Sequence, residues 1–172
     1  LMKFRREKLG FIFQDYNLLD NMTLQDNIAL PLTLNGVSPE KTIQKVQEKA
    51  VRFGLEAHLK KYPYQLSGGQ KQRAASARAL ITNPRILFAD EPTGALDSRS
   101  SRDLLCCLKA ANEEGSATIL MVTHDVYTAS YAKQVYFLRD GQIQCRLNHR
   151  GNRKEFYEEI MQMLASMGGE QE

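Results

Sequence analysis

Asp90 and Glu91 stand side by side directly after the apolar run Ile86-Leu-Phe-Ala89. Four such residues make a buried strand, and α/β sheets gather their ligands at the C-terminal ends of strands. Adjacent carboxylates repel each other there unless a cation or a proton relieves them. The same residues equally suit a strand that runs into a solvated acidic turn.

Leu66-Ser-Gly-Gly-Gln70 is a second candidate. Gly68 and Gly69 leave backbone N–H groups free to approach a phosphate, and Ser67 adds a hydroxyl donor. The helix expected directly after them adds the positive end of its dipole. Alone, the string also suits a helix cap with a flexible glycine pair; followed by Lys71-Gln-Arg73 it is more specific. His124 follows an apolar run at 117–122, and a lone histidine in that place is ordinarily a surface residue.

The elements that must carry these residues are legible in outline. The runs at 9–13, 86–89 and 117–122 read as buried strands. Thr23 is a plausible cap for a helix over 23–34 that Pro31 should end or kink. Ser38-Pro39 opens a helix to about Phe53, stopped by Gly54. A short helix follows and breaks at Pro63. The alanine-rich stretch 71–81 favours helix, with small residues at 74, 75, 77 and 79 for close packing on a sheet. Helices are also expected over 99–113 and 126–133. Asp140-Gly141 between apolar runs at 134–138 and 142–147 signals a hairpin. The last helix, 153–167, sets Phe156, Ile160, Met163 and Leu164 on one face. Strands alternating with helices predict an α/β fold with a mostly parallel sheet.

Taken together, Leu66-Ser-Gly-Gly-Gln70, the Asp90-Glu91 strand end, Gly94-Ala-Leu-Asp97 and His124 after Met121-Val-Thr123 resemble, in order and spacing, the ATPase subunit of ABC transporters across essentially the whole chain. The resemblance implies a P-loop NTPase-like parallel-sheet core, incomplete, formed by 1–14 and 66–149. It implies an inserted helical, permease-coupling subdomain at 15–65 and a helical tail at 150–172. Asp90 and Glu91 resemble the Walker B pair, in which role Asp90 would hold Mg²⁺, directly or through water, and Glu91 would polarise the attacking water. Gln14 resembles the Q-loop glutamine, which senses Mg²⁺ and the γ-phosphate. Ser67 and Gly69, with Gly68 and Gln70 beside them, resemble the signature that touches the γ-phosphate of ATP bound on the opposite subunit. Asp97 resembles the D-loop aspartate at the dimer seam, and His124 the switch histidine. The implied partners are ATP, a transmembrane permease and a second copy of the ATPase, with no nucleic acid, at the cytoplasmic face of the membrane. The string 89–98 resembles the branch that holds lipoprotein-releasing, macrolide-exporting and antimicrobial-peptide-resistance systems. The hairpin and tail look most like ATPases of the bacitracin-resistance type.

One departure stands out. No Gly is followed by Lys, so the family's Walker A loop, G-x-x-x-x-G-K-[S/T], has no counterpart here, nor has the upstream aromatic residue that stacks on adenine. The chain opens on Leu1 and a charged stretch, which reads as a chain cut into. A gap is expected beside the 117–122 strand, with exposed apolar side chains, and the chain alone is expected neither to bind ATP well nor to hydrolyse it. A non-catalytic half-domain that docks to a permease or an intact ATPase is the competing reading. ATPases of chromosome organisation, repair or translation usually carry coiled coils, zinc sites or a second ATPase domain, and the sequence shows none. Composition fits one domain with a real core: 172 residues, 42% apolar, 25% charged, net charge +3. No apolar run reaches membrane-spanning length and no signal-peptide pattern opens the chain. Cys106, Cys107 and Cys145 match no zinc spacing and are expected to be reduced thiols, the first two packing residues.

Overall fold

The computed structural model describes residues 4, 8–115 and 117–168. The opening charged stretch and the end of the tail, 169–172, lie outside the described residues. The chain divides into two compact units, Leu1–Val122 and Thr123–Glu172.

The first unit is built on three parallel strands in the order β1 (Leu9–Ile12), β2 (Ile86–Asp90), β3 (Thr118–Val122). Ile12 pairs with Ala89 and Asp90 with Val122, so all three strands end at one edge of the sheet. Side chains alternate between the faces. Gly10, Ile12, Leu87 and Ala89 point into the core. Phe11, Phe88, Leu120 and Val122 share the other face, where Phe11 stacks on Phe88 at 5.1 Å. That face is open: Phe11 is 44% exposed, Leu120 56% and Val122 63%. The runs expected to be buried strands are therefore covered on one side only, and the exposed apolar groups of β3 agree with the expected gap.

Helices cover the other side. Helix α1 (Leu24–Leu34) starts from a capping box between Thr23 and Asp26. It buries Leu24, Ile28 and Leu32, the spacing of one helix face. Pro31 neither opens nor ends α1, which runs on to Leu34; a proline near the C-terminus forfeits one intrahelical bond with little helix left to lose. Helix α2 (Pro39–Phe53) closes on Gly54 at φ 61°, a left-handed cap. Two 3₁₀ turns follow, Glu56–His58 and Pro63–Gln65, so Pro63 opens a turn and does not break a helix. Helix α3 (Gly68–Leu80) begins three residues before the expected start. Ala74, Ala75 and Ala77 are fully buried along it. Helix α4 (Ser98–Glu113) is capped by Asp97. One continuous core joins α1, α2, α3, α4 and the sheet.

The second unit contains α5 (Val126–Ala129), the hairpin β4 (Gln134–Arg139) and β5 (Gln142–Asn148), and α6 (Arg153–Gly168). Helix α5 stops short of the expected 133 because the chain tightens into three-residue bonds, Tyr131 N–H to Thr128 and Ala132 N–H to Ala129. Asp140 at φ 52° and Gly141 at φ 75° make the hairpin turn that both left-handed residues require. Phe137 packs against Phe156 and Ile160, with Met163 and Met167 partly buried. Leu164, expected on that face, is exposed. Cys106, expected to be a packing residue, is exposed too, whereas Cys107 is half-buried with its thiol pushed up by burial.

Leu87 is fully buried at the centre of the sheet, and Leu138 is 68% exposed on the hairpin. In urea unfolding, Leu87→Ala is expected to lower stability by about 2–5 kcal/mol. Leu138→Ala is expected to change it by under about 0.5 kcal/mol. Equal effects would mean that the buried face is not the core.

Candidate functional site

The first unit brings most of the sequence-predicted residues into two neighbourhoods. The first is the C-terminal edge of the sheet. Asp90 is the last residue of β2, exposed, on the open face. Glu91 turns the chain away from the sheet: its N–H donates to the Val122 carbonyl at 2.9 Å and its own carbonyl accepts from Gly94 N–H at 3.1 Å. It does so at φ 43°, in the left-handed region that non-glycine residues rarely enter. Pro92 and Thr93 behind it are buried. Gln14 lies two residues beyond Ile12, the partner of Ala89, so it emerges at the same edge as Asp90. Tyr16 at φ 63° and Asn17 at φ 47° follow it. Three of the five described non-glycine residues with positive φ thus sit just past the ends of two neighbouring strands. Strain of this kind persists where surrounding structure fixes it, and it collects at functional sites.

The donors at this edge are carboxylate and amide oxygens, the hard ligands that Mg²⁺ takes. Mg²⁺ is ordinarily held by one or two carboxylates, with phosphates and water completing its shell. Among the described residues, no three His, Cys, Asp or Glu side chains gather closely enough to hold a metal by themselves. Asp90 and Gln14 therefore fit a cation shared with a phosphate ligand, not a cage made by protein alone. A recess of about 150 Å³ lies beside Asp90, floored by Phe11, Phe88, Leu120 and Val122.

The second neighbourhood is the start of α3. Ser67 is its cap: the Ser67 hydroxyl accepts from Gln70 N–H at 3.3 Å, and the Gln70 side-chain oxygen accepts from Ser67 N–H at 2.9 Å. Gly68 and Gly69 are thus the first two residues of the helix, not a loop before it. N–H groups there have no carbonyl one turn earlier to bond. An accepting Ser67 hydroxyl keeps its own proton to donate. The segment 94–97 packs against this turn. A Cβ on Gly68 would stand 3.7 Å from the Ala95 carbonyl, and one on Gly69 3.5 Å from Leu96 and 3.6 Å from the Ser100 hydroxyl. That hydroxyl donates to Asp97 at 2.8 Å, and Asp97 also accepts from the N–H groups of Ser100 and Arg99. Those bonds, Ser100 N–H first, hold the Asp97 carboxyl below its usual range.

His124 belongs to the second unit. It is exposed, between Thr123, whose hydroxyl accepts from Asp125 N–H at 3.0 Å, and Asp125, which caps α5.

Two residues that sequence reasoning passed over belong to these neighbourhoods. Arg78 forks onto the carbonyls of Tyr16 and Asn17, at 2.9 and 2.6 Å. No local pattern announces a contact that spans some sixty positions. His58 Nε2 lies 3.1 Å from the Gln70 amide nitrogen. Because the Gln70 oxygen is taken by Ser67 N–H, the amide donates and the imidazole accepts. Nδ1 then carries the ring proton, buried, without a hydrogen-bond partner among the described residues.

Burial first, then the charges of Lys61 and Arg73, hold His58 below its ordinary pKa. The unfolded chain therefore takes up a proton that the folded chain refuses. Stability tied to neutral His58 is whole above about pH 6.5 and is lost as pH falls from there through the lower folded value. Thermal unfolding across pH 7.5 to 5 should show that slope, and His58→Gln should flatten it. An identical slope in the variant would remove His58 from this role.

A sequence profile described as ABC transporter matches residues 1–94. The bacitracin export ATP-binding protein BceA of Halalkalibacterium halodurans is 49% identical over 99% of this chain and 68% of its own length. The ABC transporter ATP-binding protein YxdL of Bacillus subtilis is 46% identical over 98% of this chain and 66% of its own length. The chain thus spans about two thirds of these relatives. Among solved structures, the dimeric bacterial ABC transporter cassette MJ0796 superposes with a TM-score of 0.81 at 40% identity, covering 88% of this chain and 67% of that one. A post-hydrolysis dimer of MJ0796 bound to ADP and Pi gives the same TM-score at 39% identity. With over half its length matched by the family profile and a relative at 49% identity, the chain belongs to the ABC transporter ATP-binding family of ATPases.

Proposed function

We propose that this chain is the greater part of a subunit that hydrolyses ATP to drive an ABC transporter of the antimicrobial-peptide resistance type. The observation that carries the reading is the strand-end pair Asp90-Glu91, held beside Gln14 by the parallel pairing of β1 and β2. The substrate class rests on likeness to a relative named for bacitracin export.

In this reading Asp90 and Gln14 hold Mg²⁺ together with the phosphates. When bound, the ion neutralises charge on the phosphoryl group in transfer. Glu91 polarises the attacking water, and its left-handed backbone fixes the direction in which its carboxylate leaves the sheet. Ser67, Gly68, Gly69 and Gln70 offer a hydroxyl and first-turn N–H groups to the γ-phosphate of ATP held by a second copy. Asp97 lies at the seam between the copies, and His124 serves as the switch histidine. Two ATP molecules join the two subunits head to tail, and loss of the γ-phosphate contacts lets them part. The segment 15–65 receives the permease, which brings the subunit to the cytoplasmic face of the membrane; no described helix is long and apolar enough to cross one. The core comprises 1–14 and 66–149, with 150–172 as a helical tail.

The Walker A loop that grips the phosphates is not among these 172 residues. The open face of the sheet, with Phe11, Leu120 and Val122, supports a place for the segment that carries it. The same open face supports the second reading, a half-domain that docks to an intact ATPase or a permease without catalysis. The intact mass from the native source separates the two: well above 19.6 kDa for the first, near it for the second.

The 172-residue chain by itself is expected to show no Mg²⁺-dependent ATP turnover, and measurable turnover would defeat that. In the complete ATPase, Glu91→Gln is expected to keep ATP binding and to slow hydrolysis by about 10²–10⁴-fold. Unchanged turnover would take Glu91 out of its role.

A further inference from the structure

Helix α3 touches one residue, Tyr16, near both of its ends. Near its C-terminus, Arg78 donates from Nη2 to the Tyr16 carbonyl at 2.9 Å and from Nη1 to the Asn17 carbonyl at 2.6 Å. Both acceptors belong to left-handed residues. At the N-terminus, the Tyr16 hydroxyl reaches Gly68: a Cβ on Gly68 would stand 3.2 Å from it, tighter than side chains ordinarily pack. The Tyr16 side chain therefore extends from the Arg78 fork towards the Ser67 cap. It starts two residues after Gln14 and ends on the first residue of the helix that Ser67 opens.

Each part suits a fastening and little else. A guanidinium presents fixed, forked donors that two successive carbonyls can share; an ammonium is a point charge on a flexible stem and has no such fork. Arg78 is largely withdrawn from water yet stays cationic at neutral pH. Two left-handed residues in succession are held only if something outside the turn holds them, and the Arg78 fork does so. A side chain at 68 would crowd the Tyr16 hydroxyl at 3.2 Å and lie in ordinary contact with the Ala95 carbonyl at 3.7 Å.

We propose that Arg78 and Tyr16 are positioning residues that fasten the turn after Gln14 to the start of α3, so that a shift of Gln14 is delivered to Gly68 and Gly69 within one subunit. The physical coupling stands on this geometry; its consequence for ATP turnover rests on the function proposed above. A phosphate or cation drawn to Gln14 would then set the turn that faces the opposite subunit's nucleotide. The coupling is reciprocal, as any coupling free energy must be.

The test uses Arg78→Lys, which keeps charge and most of the length but loses the fork, and Tyr16→Leu, which keeps the carbonyls but no longer reaches Gly68. Backbone amide resonances of the full 172-residue chain are the first readout. Arg78→Lys is expected to move the amides of Gln14, Tyr16 and Asn17 and also those of Gly68 and Gly69. In the Tyr16→Leu background the same substitution should leave Gly68 and Gly69 still. Shifts that never reach Gly68 and Gly69, or that reach them equally without the Tyr16 ring, would overturn the proposal. So would shifts spread over the whole first unit, which would mark Arg78 as a support of the fold alone. In the complete ATPase, Arg78→Lys should lower kcat by about 2- to 30-fold with the KM for ATP unchanged. A raised KM at constant kcat would overturn it. A complete wild-type protein without ATPase activity would sink the proposed function instead, and leave the amide result to decide the coupling.

Discussion

Helix α3 lies so close to the sheet that residue 10 can have no side chain. A Cβ on Gly10 would fall 2.7 Å from the Ala79 carbonyl and 2.9 Å from Leu87. Real Cβ atoms do not approach backbone so closely, so the helix can settle there only over glycine. Ala74, Ala75 and Ala77 are fully buried along the same helix, and a larger residue at any of these sites would have to displace what packs there. From this contact the rest follows. The height of α3 sets where Ser67 and the first-turn N–H groups stand. It sets where Arg78 reaches, and through Arg78 it sets the backbone of Tyr16 and Asn17. Helix α1 then packs on α3 from the outside, and its buried Leu24, Ile28 and Leu32 close the core over both.

Strain and chemistry coincide at the sheet's C-terminal edge. The parallel strands bring Asp90 and Gln14 out at one level, and the chain must turn sharply at each exit. At both exits it uses left-handed residues that are not glycine. Glycine would make the same turns with less strain and a wider choice of paths. Side chains in those places commit the backbone to one path, so the donors at the edge keep fixed directions. The start of α3 shows the opposite choice. There glycines lie inside the first helical turn, where a side chain would fill the space between Ser67, Ala95 and Tyr16.

Much of this was legible in the residues because it is written locally. Gly54 after a helical run, Asp140-Gly141 between apolar runs, and Thr23 before a helix each carry their own physical reason, and the elements stand where those reasons put them. Strand β2 and the two carboxylates at and just past its end, Asp90 and Glu91, are legible in the same way. The parts that escaped depend on distant partners. An apolar run such as Phe11 or Leu120 reads alike whether its strand is covered on one face or on both, so the open face showed only as an expected gap beside one strand. The Arg78 fork and the His58 contact with Gln70 join residues far apart, and arginine or histidine in those places looks like any polar residue. The glycines at 68 and 69 read as loop because glycine disfavours helix interiors; the Ser67–Gln70 capping box offsets that preference.

The open flank of β3 matters for how the chain behaves in a test tube or a cell. Among the described residues no strand lies beyond β3, and its outward side chains Leu120 and Val122 are apolar. Such an edge is a template: any extended segment with the right alternation can add to it, whether from another molecule of this chain or from an unrelated one. Lysine or proline within a strand is the usual guard against such addition, and Thr-Ile-Leu-Met-Val has neither. Self-association through this strip would grow with concentration, and a short competing β-peptide would suppress it.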